Sequence, residues 1–222
     1  MRTVIFDLDG TLADTSADLI GAANACFRGL GHGDVLSAQT DALTAFHGGR
    51  AMLRLGFARV LPDGWSEAMV DEQYPILLAA YGADIDRHTR LYPGAVAAVK
   101  RLSAAGYAVG ICTNKPEGLA EELLRRLAVR DLFASMVGAD TLPVRKPDPA
   151  PFAEAVRRAG GNPARALLVG DTETDRETAR RAGVPAVLVT FGPEGQGVAR
   201  LSPEALLNHY DDLDDIVAAL LP

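Results

Sequence analysis

Residues 3 to 8, TVIFDL, form a short apolar run closed by carboxylates, a pattern that predicts a strand buried on both faces rather than an amphipathic helix. Runs of the same kind recur at Tyr107 to Cys112, Ser135 to Ala139, Ala166 to Val169 and Ala186 to Thr190. Between them the period changes. Leu119, Leu123, Leu124 and Leu127 share one face of a helix over Glu117 to Leu127, and Phe152, Ala155, Val156 and Ala159 share one over Phe152 to Ala159. Strand and helix alternate, so the expected fold class is α/β, built on a doubly wound parallel sheet.

Far more chain separates Leu8 from Tyr107 than one crossover helix needs, and it holds helical patterns but no convincing strand. Four helices are expected there, at Ala17 to Leu30, Ser37 to Phe46, Arg50 to Leu61 and Ser66 to Ala83, punctuated by Gly31-His32-Gly33, Gly48-Gly49 and Pro62-Asp63-Gly64. Pro75 should kink or split the last of them. The expected organisation is an α/β core from residues 1–13 and 88–222, with an inserted all-helical domain over 14–87.

Composition narrows the function classes. With 222 residues, 48% of them hydrophobic, the chain can bury a core without staples. A formal net charge of −7 provides no basic face for a phosphate backbone, so nucleic acid is not an expected partner. The opening MRTVIFDLDG has acids where a signal peptide needs apolar residues, and no later apolar run approaches the roughly 20 residues that span a bilayer. The expected setting is therefore the cytoplasm, without membrane attachment. Cys26 and Cys112 lie far apart in apolar contexts and are expected as buried, unpaired thiols.

Functional groups of an open α/β sheet collect at the carboxyl ends of its strands. Here those ends carry Asp7 and Asp9, Thr113 and Asn114, Lys146 beyond another strand, and Asp171 with Asp175. Close carboxylates raise each other's pKa unless a cation compensates them, and a divalent ion with oxygen ligands, Mg²⁺ being the usual one, would do so. In Asp7-Leu8-Asp9-Gly10-Thr11 two acids stand two residues apart where a strand opens into a turn, and Gly10 permits the sharp bend.

DLDGT after the first strand, Thr113-Asn114 after the second, Lys146-Pro147-Asp148-Pro149, and Gly170-Asp171-Thr172-Glu173-Thr174-Asp175 resemble, in order and spacing, the four motifs of the haloacid dehalogenase superfamily. The resemblance covers essentially the whole chain and implies a Rossmann-like core. It implies that Asp7 attacks phosphorus to form an aspartyl phosphate, and that Asp9 protonates the leaving oxygen and then deprotonates the hydrolytic water. Thr113 and the Asn114 backbone would hold phosphoryl oxygens while Lys146 neutralises charge. Mg²⁺ would be held by Asp7, the Asp9 main-chain carbonyl and Asp171, with Asp175 supporting the metal site or Lys146.

An all-helical cap after the first motif resembles the phosphoglycolate phosphatase-like branch. Phosphonatases of that branch use a cap lysine, and none precedes Lys100. β-Phosphoglucomutases carry a histidine soon after the first motif, and none lies between Thr11 and Gly31. Dehalogenases lack the second acid, which is present as Asp9. The expectation is a phosphatase of a small phosphorylated metabolite, 2-phosphoglycolate first, with pyrophosphate, a nucleotide or a sugar phosphate as alternatives, working as a monomer or homodimer.

Other residues take plainer readings. Asp14, Asp18 and Glu173 are expected only to meet helix dipoles, and Lys115 to meet solvent or a local carboxylate. His47-Gly48-Gly49-Arg50 is either a helix C-cap and restart or a substrate-specificity loop in which Arg50 reaches the non-phosphate end of the substrate.

Overall fold

A computed structural model describes residues 1–222. In chain order its elements are Thr3–Phe6 (β1), Ala13–Asp14 (β2), Ser16–Gly29 (α1), Ala42–Phe46 (α2), Gly49–Val60 (α3), Glu67–Ala83 (α4) and Arg90–Leu91 (β3). There follow Ala95–Ala104 (α5), Ala108–Cys112 (β4), Glu117–Arg126 (α6), Ser135–Val137 (β5), Pro149–Arg158 (α7) and Ala166–Gly170 (β6). The chain closes with Glu173–Ala182 (α8), Ala186–Val189 (β7), Ala205–Leu207 (β8) and Leu213–Leu220 (α9). It divides into two compact units, Met1–Asp14 with Leu91–Pro222, and Thr15–Arg90. No helix is long and apolar enough to cross a membrane.

The first unit is built on a six-stranded sheet in the order β5-β4-β1-β6-β7-β8. All of its pairings are parallel. Strands buried on both faces are predominantly apolar, and β1, β4, β6 and β7 are fully buried along their length. Strand β1 sits between β4 and β6, so the order reverses at it, and the crevice at its carboxyl end is where ligands bind in such sheets. Helix α7 starts sharply because Asp148 accepts the Ala150 N–H and Pro149 stands at the first helical position. Its apolar stripe then buries Phe152, Ala155 and Val156 against Ile5, Cys112, Val137 and Leu168. Strand β8 has only three residues, two of them half-buried at the sheet edge, and carries too short a pattern to announce itself in the sequence.

The second unit is helical. Helix α4 packs against α1 and α3, and it runs unbroken through Pro75 because Val70, Leu77 and Tyr81 anchor it on both sides of the missing hydrogen bond. The expected helix from Ser37 starts only at Ala42. The buried Asp41 carboxylate accepts the Ser37 N–H at 2.8 Å and both arms of the Arg59 guanidinium at 2.7 Å, which folds 37–41 into a turn. The Phe27 and Phe57 rings meet edge to face at 5.2 Å, and Gly56 lets α3 approach the Phe27 ring. A Cβ there would lie 2.1 Å from it. Asp18 does more than face a helix dipole: its buried carboxylate accepts the His88 and Thr89 N–H groups and the Thr89 hydroxyl at 2.8–3.0 Å.

Candidate active site

The sheet edge at β1 is made by a tight turn. The Leu12 and Ala13 N–H groups return to the Leu8 carbonyl, the Gly10 N–H donates to the Ala13 carbonyl, and Gly10 sits at φ 81°, a conformation that a side chain would strain. Asp7 is locked to the neighbouring strand through its own N–H, which donates to the Val169 carbonyl at 2.9 Å. Its Oδ1 accepts the Leu8 N–H at 2.7 Å and lies 3.1 Å from Lys146 Nζ.

Lys146 is buried, and its ammonium also donates to Asp175 Oδ1 at 2.6 Å. The other Asp175 oxygen accepts the Thr172 hydroxyl at 2.7 Å and the Thr172 and Asp171 N–H groups at 3.2 and 3.3 Å. Asp175 thus starts helix α8 and anchors Lys146 at once. The Asn114 amide donates to the Lys146 carbonyl at 3.0 Å, tying the loop after β4 to the segment before α7. Thr113 is buried beside it, with its N–H on the Val137 carbonyl.

Asp171 is buried, its Oδ1 accepts the Thr11 hydroxyl at 2.8 Å, and its Oδ2 has no hydrogen-bond partner. A buried carboxylate oxygen left without a donor is costly and asks for a cation. One carboxylate oxygen each from Asp7, Asp171 and Asp175 lie within 4.8 Å of one another. Both Asp175 oxygens are already hydrogen-bonded, so Asp171 and Asp7 are the better ligands, and this all-oxygen donor set fits a hard divalent ion.

Electrostatics give the same reading. Burial pushes the Asp7 carboxyl up to about 6, Lys146 pulls it down, and Asp175 and Asp9 add to the rise. Burial also raises Asp171 well above the carboxylate range, with Asp175 and Asp7 adding to it. Burial favours neutral Lys146, but the Asp175 and Asp7 carboxylates outweigh that and hold the ammonium above its ordinary value. Three buried acids share one buried ammonium, so the cluster lacks positive charge. Both cysteines are free and buried, and burial pushes the Cys112 thiol up to about 12, where it is inert at neutral pH.

Among the residues singled out in the sequence, Asp7, Lys146, Asp171 and Asp175 form one connected cluster, and Asn114 touches it through the Lys146 carbonyl. Asp9 meets a different lysine, with Lys115 Nζ at 2.9 Å from its Oδ1. Arg50 belongs to the helical unit, where it pairs with Asp71 and lies over the Tyr74 ring at 4.5 Å. Lys115, expected on solvent or a local carboxylate, meets the Asp9 carboxylate, Thr11 was noted only as part of its motif, and Tyr210, whose hydroxyl donates to the Thr11 carbonyl at 2.7 Å, had not been singled out. Thr11 closes the DLDGT motif and Lys115 adjoins Asn114, so both carried a signal; Tyr210 lies 199 residues from its partner and carried none.

Comparison with known proteins bears on the whole chain. It is 38% identical over 212 residues to a phosphoglycolate phosphatase of Mesorhizobium japonicum, covering 95% of this chain and 92% of that one. It is 36% identical to a phosphoglycolate phosphatase of Cereibacter sphaeroides, with both chains covered in full. The solved structure of a predicted phosphoglycolate phosphatase from Haemophilus somnus superposes with a TM-score of 0.85 at 26% identity, over 97% of each chain. The sequence model of the haloacid dehalogenase-like hydrolases matches residues 4–189, and the chain belongs to that family.

Proposed function

We propose that this phosphatase hydrolyses a small phosphomonoester, with 2-phosphoglycolate as the first candidate, through a phosphoryl group carried on Asp7. The observation that carries the mechanism is the separate pairing of the two acids of the DLDGT turn, Asp7 with Lys146 and Asp9 with Lys115. One acid is built into a buried charge cluster as a nucleophile. The other, more open, is set up to exchange protons. The substrate assignment is supported by the names of the two bacterial relatives, which match over nearly the full length of this chain.

Asp7, Asp171 and the main-chain carbonyl of Asp9 would hold Mg²⁺, which would supply positive charge to the phosphoryl oxygens and to the attacking carboxylate. The Leu8 N–H donates to Asp7 Oδ1 and the Lys146 ammonium lies 3.1 Å from the same oxygen, which leaves Oδ2 to attack phosphorus. As the new oxygen–phosphorus bond forms, the bond to the ester oxygen breaks with its electron pair, and the Asp9 carboxyl delivers a proton to that oxygen. The Thr113 hydroxyl and the Asn114 N–H hold phosphoryl oxygens, and Lys146 offsets their charge. In the second half, the Asp9 carboxylate takes a proton from water, whose oxygen bonds to phosphorus as Asp7 is released. Asp175 keeps Lys146 in place throughout.

Arg50 is a candidate for the carboxylate end of the substrate, and it would have to exchange Asp71 for that partner. Every group in this scheme comes from one chain, so a monomer and a homodimer serve equally. A metabolite substrate and two free thiols suit the cytoplasm. The test is phosphate release from 2-phosphoglycolate, pyrophosphate, nucleotides and sugar phosphates, with Mg²⁺ or with EDTA. Metal-dependent turnover with 2-phosphoglycolate at the head of the series is expected. Turnover in EDTA, or of none of these compounds, would refute the proposal.

A further inference from the structure

Lys115 is the second lysine of the site and the one whose role the family motifs leave open. Its side chain is 4% exposed, and Nζ donates to Asp9 Oδ1 at 2.9 Å. Its main chain is braced on both sides: the N–H donates to the Thr113 hydroxyl at 3.2 Å, and the carbonyl accepts the Ala139 N–H at 2.9 Å. The backbone that carries the ammonium is therefore held by the ends of β4 and β5, and the ammonium is held on Asp9. A lysine this buried is costly unless it is paired and hydrogen-bonded, and the Asp9 carboxylate is a partner that meets this need.

We propose that Lys115 is the positioning residue of the acid–base group, fixing the Asp9 carboxyl by one oxygen. This rests on the acid–base role proposed above for Asp9. With Oδ1 held, rotation of the carboxyl is restricted, and its proton-bearing edge keeps one direction. The same contact keeps the carboxylate oriented for the water of the second half-reaction. The two lysines thus divide the site: Lys146 serves the nucleophile and Lys115 the proton carrier.

The experiment compares two esters through kcat/KM, which reports the step that expels the leaving group. An alkyl phosphate expels an alkoxide that needs a proton, whereas p-nitrophenyl phosphate expels an anion that does not. General acid catalysis contributes about 10²–10⁴-fold. Lys115→Met is expected to lose at least about tenfold more kcat/KM on the alkyl ester than on the aryl ester, and Lys115→Arg to recover part of that difference. Partial misfolding or weakened phosphate binding lowers both esters alike and leaves their ratio untouched. An unchanged ratio in Lys115→Met overturns the inference. Asp9→Asn separates the two possible failures: if it too leaves the ratio unchanged, the acid–base reading of Asp9 falls; if it shifts the ratio while Lys115→Met does not, only the role of Lys115 falls.

Discussion

Replacing the nucleophile should stabilise the metal-free protein. The Asp7 carboxyl rises from an ordinary 3.8 to about 6, chiefly through burial. The folded chain therefore holds that proton more tightly than the unfolded chain does. Stability from this group is lost as pH climbs from 3.8 to 6 and stays level above. At about 1.4 kcal/mol per pKa unit, the ionised carboxylate costs about 3 kcal/mol at neutral pH. Asp7→Asn keeps the shape and removes the charge, so in EDTA at about pH 7.5 it should be more stable than the parent by up to that amount. For a chain of this length that is about 6–12 °C in Tm. Near pH 5 the gap should shrink to about half, and below pH 4 it should nearly vanish. Mg²⁺ should stabilise the parent more than the variant, because binding supplies the charge that the cluster lacks. Thermal melts of both proteins at three pH values, with and without Mg²⁺, measure all of this. A variant less stable than the parent at neutral pH, or a gap that acid leaves unchanged, would refute the reasoning.

Two further substitutions test the packing of the helical unit. Gly56→Ala sets a methyl 2.1 Å from the Phe27 ring, so denaturant melts should show a loss of about 1–3 kcal/mol although alanine is the better helix former. Asp18→Ala removes the acceptor of the His88 and Thr89 N–H groups and the Thr89 hydroxyl. It should cost about 1–3 kcal/mol for each buried group left without a partner, read as a fall in the denaturant midpoint, with Asp18→Asn intermediate.

The sheet was legible because strands buried on both faces are predominantly apolar, and Thr3–Phe6, Ala108–Cys112, Ala166–Gly170 and Ala186–Val189 are. What stayed hidden lacked periodicity. The strand at Ala205–Leu207 is three residues long, and the turn at 37–41 exists because Arg59 and Ser37 converge on Asp41, a tertiary event. Asp7 and Asp171 could be named in advance because each directly follows a strand, where the topology collects functional groups, and Lys146 and Asp175 because their surroundings resemble the motifs of the family. Asp18 was misread because its acceptor role depends on residues 70 and 71 positions away. Lys115 was underrated for the same reason, since Asp9 lies 106 residues from it.

The central claim is that Asp7 carries the phosphoryl group. Asp9→Asn should slow hydrolysis of the intermediate more than its formation from p-nitrophenyl phosphate, so the phosphorylated enzyme should accumulate when the variant is mixed with that ester and Mg²⁺. Rapid acid quench and peptide mass spectrometry should then find one phosphoryl group on the peptide holding Asp7, and none in the Asp7→Asn, Asp9→Asn double variant. Turnover without any labelled peptide, or a phosphoryl group on another residue, would contradict the account.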